Sequence, residues 1–132
     1  MINWESELPL IKLAASKHGI DWCFVASIRQ VENGNPGREF GVLDGTSTTY
    51  AEQLATTCAS VAHRLEVYPS NPLVRAYGAN GQSRIRYTPG FLSYFSSIWA
   101  PVGASNDPTH LNQYWLDNVS LAYHSHVLSE LI

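Results

Sequence analysis

The stretch from Asp21 to Gly37 constrains the fold more than any other part of the chain. In Asp21-Trp22-Cys23-Phe24-Val25-Ala26-Ser27-Ile28-Arg29-Gln30-Val31-Glu32, the residues Phe24, Val25, Ile28 and Val31 recur at helical spacing. One face of this helix is therefore expected to be buried. Glu32 follows Ile28 by four positions and Val25 by seven, which puts a carboxyl group on that same apolar face. Asn33-Gly34-Asn35-Pro36-Gly37 then stops the helix. An acid at the end of an apolar stripe, beside a glycine-rich turn, is expected to be partly desolvated yet reachable from a cleft. Desolvation disfavours the charged form and raises the pKa, the condition under which a carboxylic acid donates a proton near neutral pH. The competing expectation is a Glu in the last turn that points to water.

At 132 residues the chain is expected to form one domain over residues 1–132, with a hydrophobic core that needs no disulfide or metal as a staple. Nearly half of it is hydrophobic and only 14% charged, which argues against disorder. No apolar run approaches bilayer length, so no stable membrane insertion is expected. A net charge of −3 with interspersed signs argues against nucleic acid as a partner. The densest basic cluster, Arg75, Arg84 and Arg86, is too small to neutralise a phosphate backbone. Met1-Ile2-Asn3-Trp4-Glu5-Ser6-Glu7 carries acids where a signal peptide has Lys or Arg. The expectation is synthesis in the cytoplasm without an export route of its own. Cys23 and Cys58 fall near apolar helix faces and read as free buried thiols, a single disulfide being the alternative.

The remaining elements follow from the same patterns. A first helix from about Ser6 to Lys17 has Leu10, Leu13 and Ala14 as its expected inward stripe, with Ile11 or Lys17 at the edge, and Gly19 ends it. Asp21 is a natural N-cap for the helix that carries Glu32. The turn-rich stretch from Asn33 to Ser47 reads as an ordered loop or a minimal strand. Thr49-Tyr50-Ala51-Glu52 matches a capping box, and the helix it opens places Tyr50, Leu54, Cys58, Val61 and Leu65 on one stripe to about Val67. Leu73 to Tyr87 reads as a β-hairpin turning at Asn80-Gly81. Pro89 opens a helix with Phe91, Leu92, Phe95, Ile98 and Trp99 on one face, closed by Ala100-Pro101. Asp107-Pro108 opens a last one through Leu111, Trp115 and Val119 toward Leu128.

Elimination narrows the chemistry. His124-x-His126 puts its imidazoles on different faces of a helix, with no carboxylate or Cys at ligand spacing. Both read as surface histidines, and neither a metal nor a cofactor is expected. A nucleophile elbow and a phosphate-cradling glycine loop are both lacking. Carboxylate-based acid/base work is left.

The order of these segments resembles the lysozyme-like superfamily. The residues that carry the resemblance are Gly19-Ile20-Asp21, the apolar helix ending Val31-Glu32-Asn33-Gly34-Asn35-Pro36, and Phe40-Gly41-Val42-Leu43. The two similar branches are the lytic transglycosylases and the glucosaminidase-type wall hydrolases of bacteria and phages. The resemblance spans roughly residues 5 to 119. Arg86-Tyr87-Thr88-Pro89-Gly90-Phe91, Trp99-Ala100-Pro101 and Asn106-Asp107-Pro108 are similar to segments of small phage-encoded members. Asn33 stands where many members have Ser, and Leu43-Asp44 replaces the family's Met-Gln.

The resemblance implies a mainly α, α+β lysozyme-like domain in which a small β-hairpin flanks a substrate cleft. It implies a hydrolase or transglycosylase acting on the β-1,4 glycan strand of peptidoglycan, an endolysin-like protein of a bacteriophage. Glu32 matches the catalytic glutamate, and Gly41 and Val42 fall in the second cleft motif. Asp44, and after it Glu39, is the candidate second carboxylate, as nucleophile or as base for a water. If neither faces Glu32, the same Glu deprotonates the sugar's own hydroxyl and an anhydro product results, the branch favoured here because no second acid stands out. The family's cleft tyrosine is supplied either by Tyr87, expected to bring its hydroxyl near the Gly41 and Asp44 loop, or by Tyr77. The latter lies in Ala76-Tyr77-Gly78-Ala79-Asn80-Gly81, where Asn80 is a further candidate contact; hairpin packing is the alternative for both tyrosines. Glycan strands, and other phage proteins, are the expected partners, reached from a virion or at host lysis. A different class remains open: a weak or inert glycan-binding or structural phage module with the same fold.

Overall fold

The computed structural model describes residues 2–104, 107 and 110–131. Among these it is mainly helical: α1 Trp4–His18, α2 Trp22–Glu32, α3 Tyr50–Val67, α4 Pro89–Trp99 and α5 Trp115–Glu130, with strands β1 Leu73–Tyr77 and β2 Ser83–Tyr87 between α3 and α4. The strands pair antiparallel with Leu73 opposite Tyr87 and Tyr77 opposite Ser83, and Gly81 takes the positive φ that the turn requires.

The centre of the domain is α2. Its residues from Cys23 to Arg29 are all buried, so the apolar face read from the sequence widens to nearly the whole circumference, as in helices enclosed by others. It packs most extensively on α5, with α1 on another side. Phe24 is met edge-on by Tyr87, Phe91, Phe95 and Tyr123 at ring-centroid distances of 5.1–6.2 Å, the geometry aromatic quadrupoles favour.

The long central helix α3 forms as read. Its capping box is present, Glu52 reaching back to the Thr49 amide, and Leu54, Cys58 and Val61 are buried. Both cysteines are free and buried. On α1 the inward stripe differs from the expected one. Leu10 and Leu13 are half exposed while Ile11 and Ala15 are fully buried, with Trp4 and Leu8 packed against the core. Two apolar lines at helical spacing run along this helix, and the line through Trp4, Leu8, Ile11 and Ala15 faces α2 and α3. His124 is exposed, and His126 is partly buried against two indoles. It lies edge-on to Trp4 and Trp22 at 5.3 and 5.9 Å and pairs with Gln30, and burial lowers its pKa.

In the Asn106-Asp107-Pro108 segment, Asn106 and Pro108 lie outside the described residues. Asp107 accepts from the amides of Gly103 and Asn112, and a 3₁₀ turn at Leu111–Tyr114 precedes α5. The final α-helix thus starts at Trp115, later than expected.

The hairpin also lies elsewhere than expected. Asp21 caps α2 through the Cys23 amide at 3.0 Å, receives two hydrogen bonds from Arg84 at 2.8 and 3.2 Å, and accepts the Tyr123 hydroxyl at 2.6 Å. The Asp21 amide donates to the Tyr87 hydroxyl at 2.8 Å, and the Tyr87 amide donates to Tyr123. Strand β2 is therefore tied to the N-terminal end of α2 and to α5. Glu32 ends an eleven-residue helix whose length is roughly 16 Å, so the hairpin and Glu32 sit at opposite ends of it. Tyr87, 3% exposed, is a core residue.

Tyr87→Phe leaves the Asp21 amide without its acceptor. The expected loss is about 1–2 kcal/mol of unfolding free energy in urea. A loss under about 0.5 kcal/mol would show that this bond does not anchor the hairpin.

Candidate functional site

Glu32 terminates α2 because Asn33 adopts left-handed backbone, φ 40°, and its amide closes on the Arg29 carbonyl. Arg29 holds this end. Its buried guanidinium donates to Glu7 at 2.6 and 3.1 Å and to the Asn33 side chain at 3.4 Å, and the Tyr50 hydroxyl adds a bond to Glu7 at 2.8 Å. Burial pushes the Glu7 carboxyl up, but the hydrogen bonds from Arg29 and Tyr50 outweigh it and hold the group below the usual glutamate range. The two carboxylates near this helix end are thereby set apart: Glu7 is paired with a cation, whereas Glu32 has none beside it among the described residues.

Two indoles hold Glu32. Trp115 donates to its Oε1 at 2.9 Å and Trp99 to the same oxygen at 3.4 Å. Phe95 stacks on both rings, at 5.4 Å from Trp99 and 6.2 Å from Trp115, so α4 and α5 present their N–H groups to one point. The other carboxyl oxygen abuts Gly41, where φ is +76° and a Cβ would overlap Glu32. Gly41 is required on both counts. Burial raises the Glu32 pKa, and the hydrogen bonds from Trp115 and Trp99 oppose this only in part. The result is a carboxylic acid biased toward its protonated form.

A cleft of about 640 Å³ adjoins this group, within the range of small-molecule sites. The loop from Gly41 to Asp44 forms one wall. The face of α3 bearing Thr56, Ser60, His63 and Arg64 forms another, and Phe95, Ile98 and Trp99 of α4 complete it. Glu32 stands directly behind this lining, in contact with two of its members, Gly41 and Trp99.

The loop keeps its shape through Gln53, whose fully buried side chain accepts from the amides of Phe40 and Val42 at 3.2 and 3.1 Å. Its NH₂ donates to the carbonyls of Val42 and Ser47 at 2.9 and 2.6 Å. Asp44 closes the far end of the loop: its carboxylate accepts from the Ser47 and Thr46 amides and the Ser47 hydroxyl at 2.7–2.9 Å. These bonds, the Ser47 amide first, hold its pKa down to about 2.

Of the residues named from sequence, Glu32, Gly41, Val42 and Asp44 come together here. Glu39 instead turns to the Gly37 amide. The tyrosine candidates do not join them. Tyr87 is buried at the other end of α2, Tyr77 is 71% exposed on β1 and Asn80 is exposed in the hairpin turn; none of the three lines the cleft. The hairpin therefore does not flank it. Gln53, Trp99, Trp115 and the polar face of α3 were not singled out as functional. A buried indole needs an acceptor, and a helix whose face beside its apolar stripe carries Thr, Ser, His and Arg at three- and four-residue intervals is the signal that α3 offered.

Gln53→Leu conserves size but removes four hydrogen bonds from a buried loop. The expected loss is roughly 2–4 kcal/mol, with hydrogen exchange accelerated at Phe40 and Val42. Unchanged exchange at those amides would show that the loop holds itself. Glu32→Gln isolates the burial of the acid. A carboxyl whose folded pKa is raised stabilises the fold below its unfolded value, about 4.3, and that contribution is lost as pH rises through the folded value. The amide has no such dependence. The stability of Glu32→Gln relative to the parent should therefore rise from pH 4 to pH 7; a difference that stays flat with pH would mean Glu32 is not perturbed.

Comparison of the chain with family models, with curated proteins and with solved structures returns no match, so the reading of this site rests on its own geometry.

Proposed function

We propose that the chain cleaves the β-1,4 glycan strand of peptidoglycan, as a lysozyme-like enzyme, with Glu32 as the general acid. The observation that carries the proposal is Glu32 itself: a carboxyl raised toward neutrality by burial, held by two indole donors and set behind the wall of an open cleft. The bond to be cut is an acetal, whose oxygen leaves only once it is protonated as positive charge grows on the sugar ring. A protonated Glu32 delivers that proton from a fixed direction. The apolar faces of Ile98 and Trp99 suit the faces of a pyranose ring, and the hydroxyls of Thr56 and Ser60 suit its edges.

The second half of the reaction follows from Asp44. Its carboxylate spends its acceptor capacity on the Thr46 and Ser47 groups, and at about 2 its pKa makes it a weak base. This favours the route in which Glu32, having given up its proton, takes one from a hydroxyl of the same sugar, closing an anhydro ring. Asp44 then acts on the loop and on the field in the cleft. A phage origin and delivery at lysis or on a virion belong to the same proposal through the family resemblance. The other reading, a glycan-binding or structural module with little turnover, is favoured by one observation: Glu32 lies behind the cleft lining and not in it.

Zymography on peptidoglycan separates the two. Wild-type chain should clear the substrate, and Glu32→Gln should clear it at least about 100-fold more slowly, the usual contribution of a positioned acid, with circular dichroism showing that the variant is folded. Mass spectra of the released muropeptides should carry anhydro ends. Absence of clearing by the wild type would favour the binding module, and wild-type-like clearing by Glu32→Gln would remove Glu32 from the mechanism.

A further inference from the structure

We propose that Arg64, with His63 beside it, forms a carboxylate-reading subsite that makes the cleft prefer glycan strands with an acidic substituent over neutral polymers. The inference rests on the glycan-cleaving reading and adds a selection rule to it.

The charges in the cleft are separated along its length. Asp44 is at one end, because the Ser47 hydroxyl that donates to it also pairs at 2.7 Å with Thr56 on α3. Arg64 lies eight residues further along the same helix, a distance of roughly 12 Å, and still lines the cleft, as does His63. Among the described residues, neither Asp44 nor any other carboxylate pairs with Arg64. Among those residues the ion pairs are Arg29 with Glu7 and Arg84 with Asp21, and no side-chain hydrogen bond joins Arg64 to another described residue.

A partly buried arginine with no hydrogen-bond partner among the described residues, at one end of a sugar-sized cleft, suits a planar anion. Its fork matches the two oxygens of a carboxylate. Asp44 repels the same anion at the opposite end, so an acidic group fixes which way the strand lies as well as whether it binds. In a peptidoglycan strand the lactyl ether on alternate sugars, or the peptide stem attached to it, supplies the carboxylate. Polymers of N-acetylglucosamine alone have none.

The test uses the full chain with Glu32→Gln, so that binding is read without turnover. Calorimetric titration compares N-acetylglucosamine oligomers with peptide-free glycan-strand oligomers of the same length that carry lactyl carboxylates. The acidic oligomers should bind about tenfold more tightly, the discrimination expected of one charge-assisted hydrogen-bond pair. Adding Arg64→Gln should collapse the ratio to within about threefold, and Arg64→Lys should restore part of it; circular dichroism confirms that each variant is folded. Equal affinity for the two oligomers in the Glu32→Gln parent, or a ratio that survives Arg64→Gln, would overturn the subsite while leaving the glycan reading intact. Failure of both oligomers to bind would overturn both.

Discussion

Enclosing α2 on nearly all sides leaves its two ends as the places where the fold must deal with polarity. A buried helix terminus exposes amides at one end and carbonyls at the other, and these need partners. At the N-terminal end Asp21 meets the need and recruits Arg84, Tyr87 and Tyr123, which ties the hairpin and α5 to the helix. At the C-terminal end Asn33 turns left-handed under the side chain of Arg29, and Glu7, itself held by the Tyr50 hydroxyl, neutralises that guanidinium. Each end is built from residues distant in sequence, so the placement of α1, α3, α5 and the hairpin follows from the burial of one helix.

Glu32 is the exception within this scheme. Asp21 and Glu7, which hold the two ends of α2, each pair with an arginine, whereas Glu32 has two indole N–H groups and, among the described residues, no cation. Neutral donors stabilise an anion less than a guanidinium does, so desolvation outweighs them and the Glu32 pKa is raised. The arrangement is unfavourable for stability at neutral pH and useful for proton transfer, a local inconsistency that folds tolerate at functional sites.

Much of this could be read from the residues in order, and the parts that could not share a cause. Local rules located Asp21 as a cap, Thr49 and Glu52 as a capping box, the α3 stripe, the turn at Gly81 and the start of α4 at Pro89, because each depends on neighbours within a few positions. The Glu32 and Gly41 juxtaposition was also accessible, through an apolar helix that ends in an acid and a glycine-bearing loop after it. The partners of Glu32 were not: Trp99 and Trp115 lie 67 and 83 positions away, and nothing local aims an indole. The hairpin was misplaced for the same reason. Its amphipathic pattern says that one side packs, but the Asp21, Arg84 and Tyr123 cluster decides against what. On α1, two apolar lines satisfy the same helical period, and only the tertiary contacts choose between them.

The cleft shows how one helix serves both stability and the site. Leu54, Cys58 and Val61 of α3 face the core, and the adjoining face carries Thr56, Ser60, His63 and Arg64 into the cleft. Gln53 belongs to the buried side, yet its amide group shapes the loop that forms the opposite wall. The distance between Asp44 and Arg64 is therefore set by the rise of a helix whose register the core locks. Turning that helix by one residue, about 100°, would swing the apolar stripe off the core and Arg64 out of the cleft together. Loop sequence alone could change the first wall, but the spacing of charge along the cleft is coupled to the packing of the whole domain.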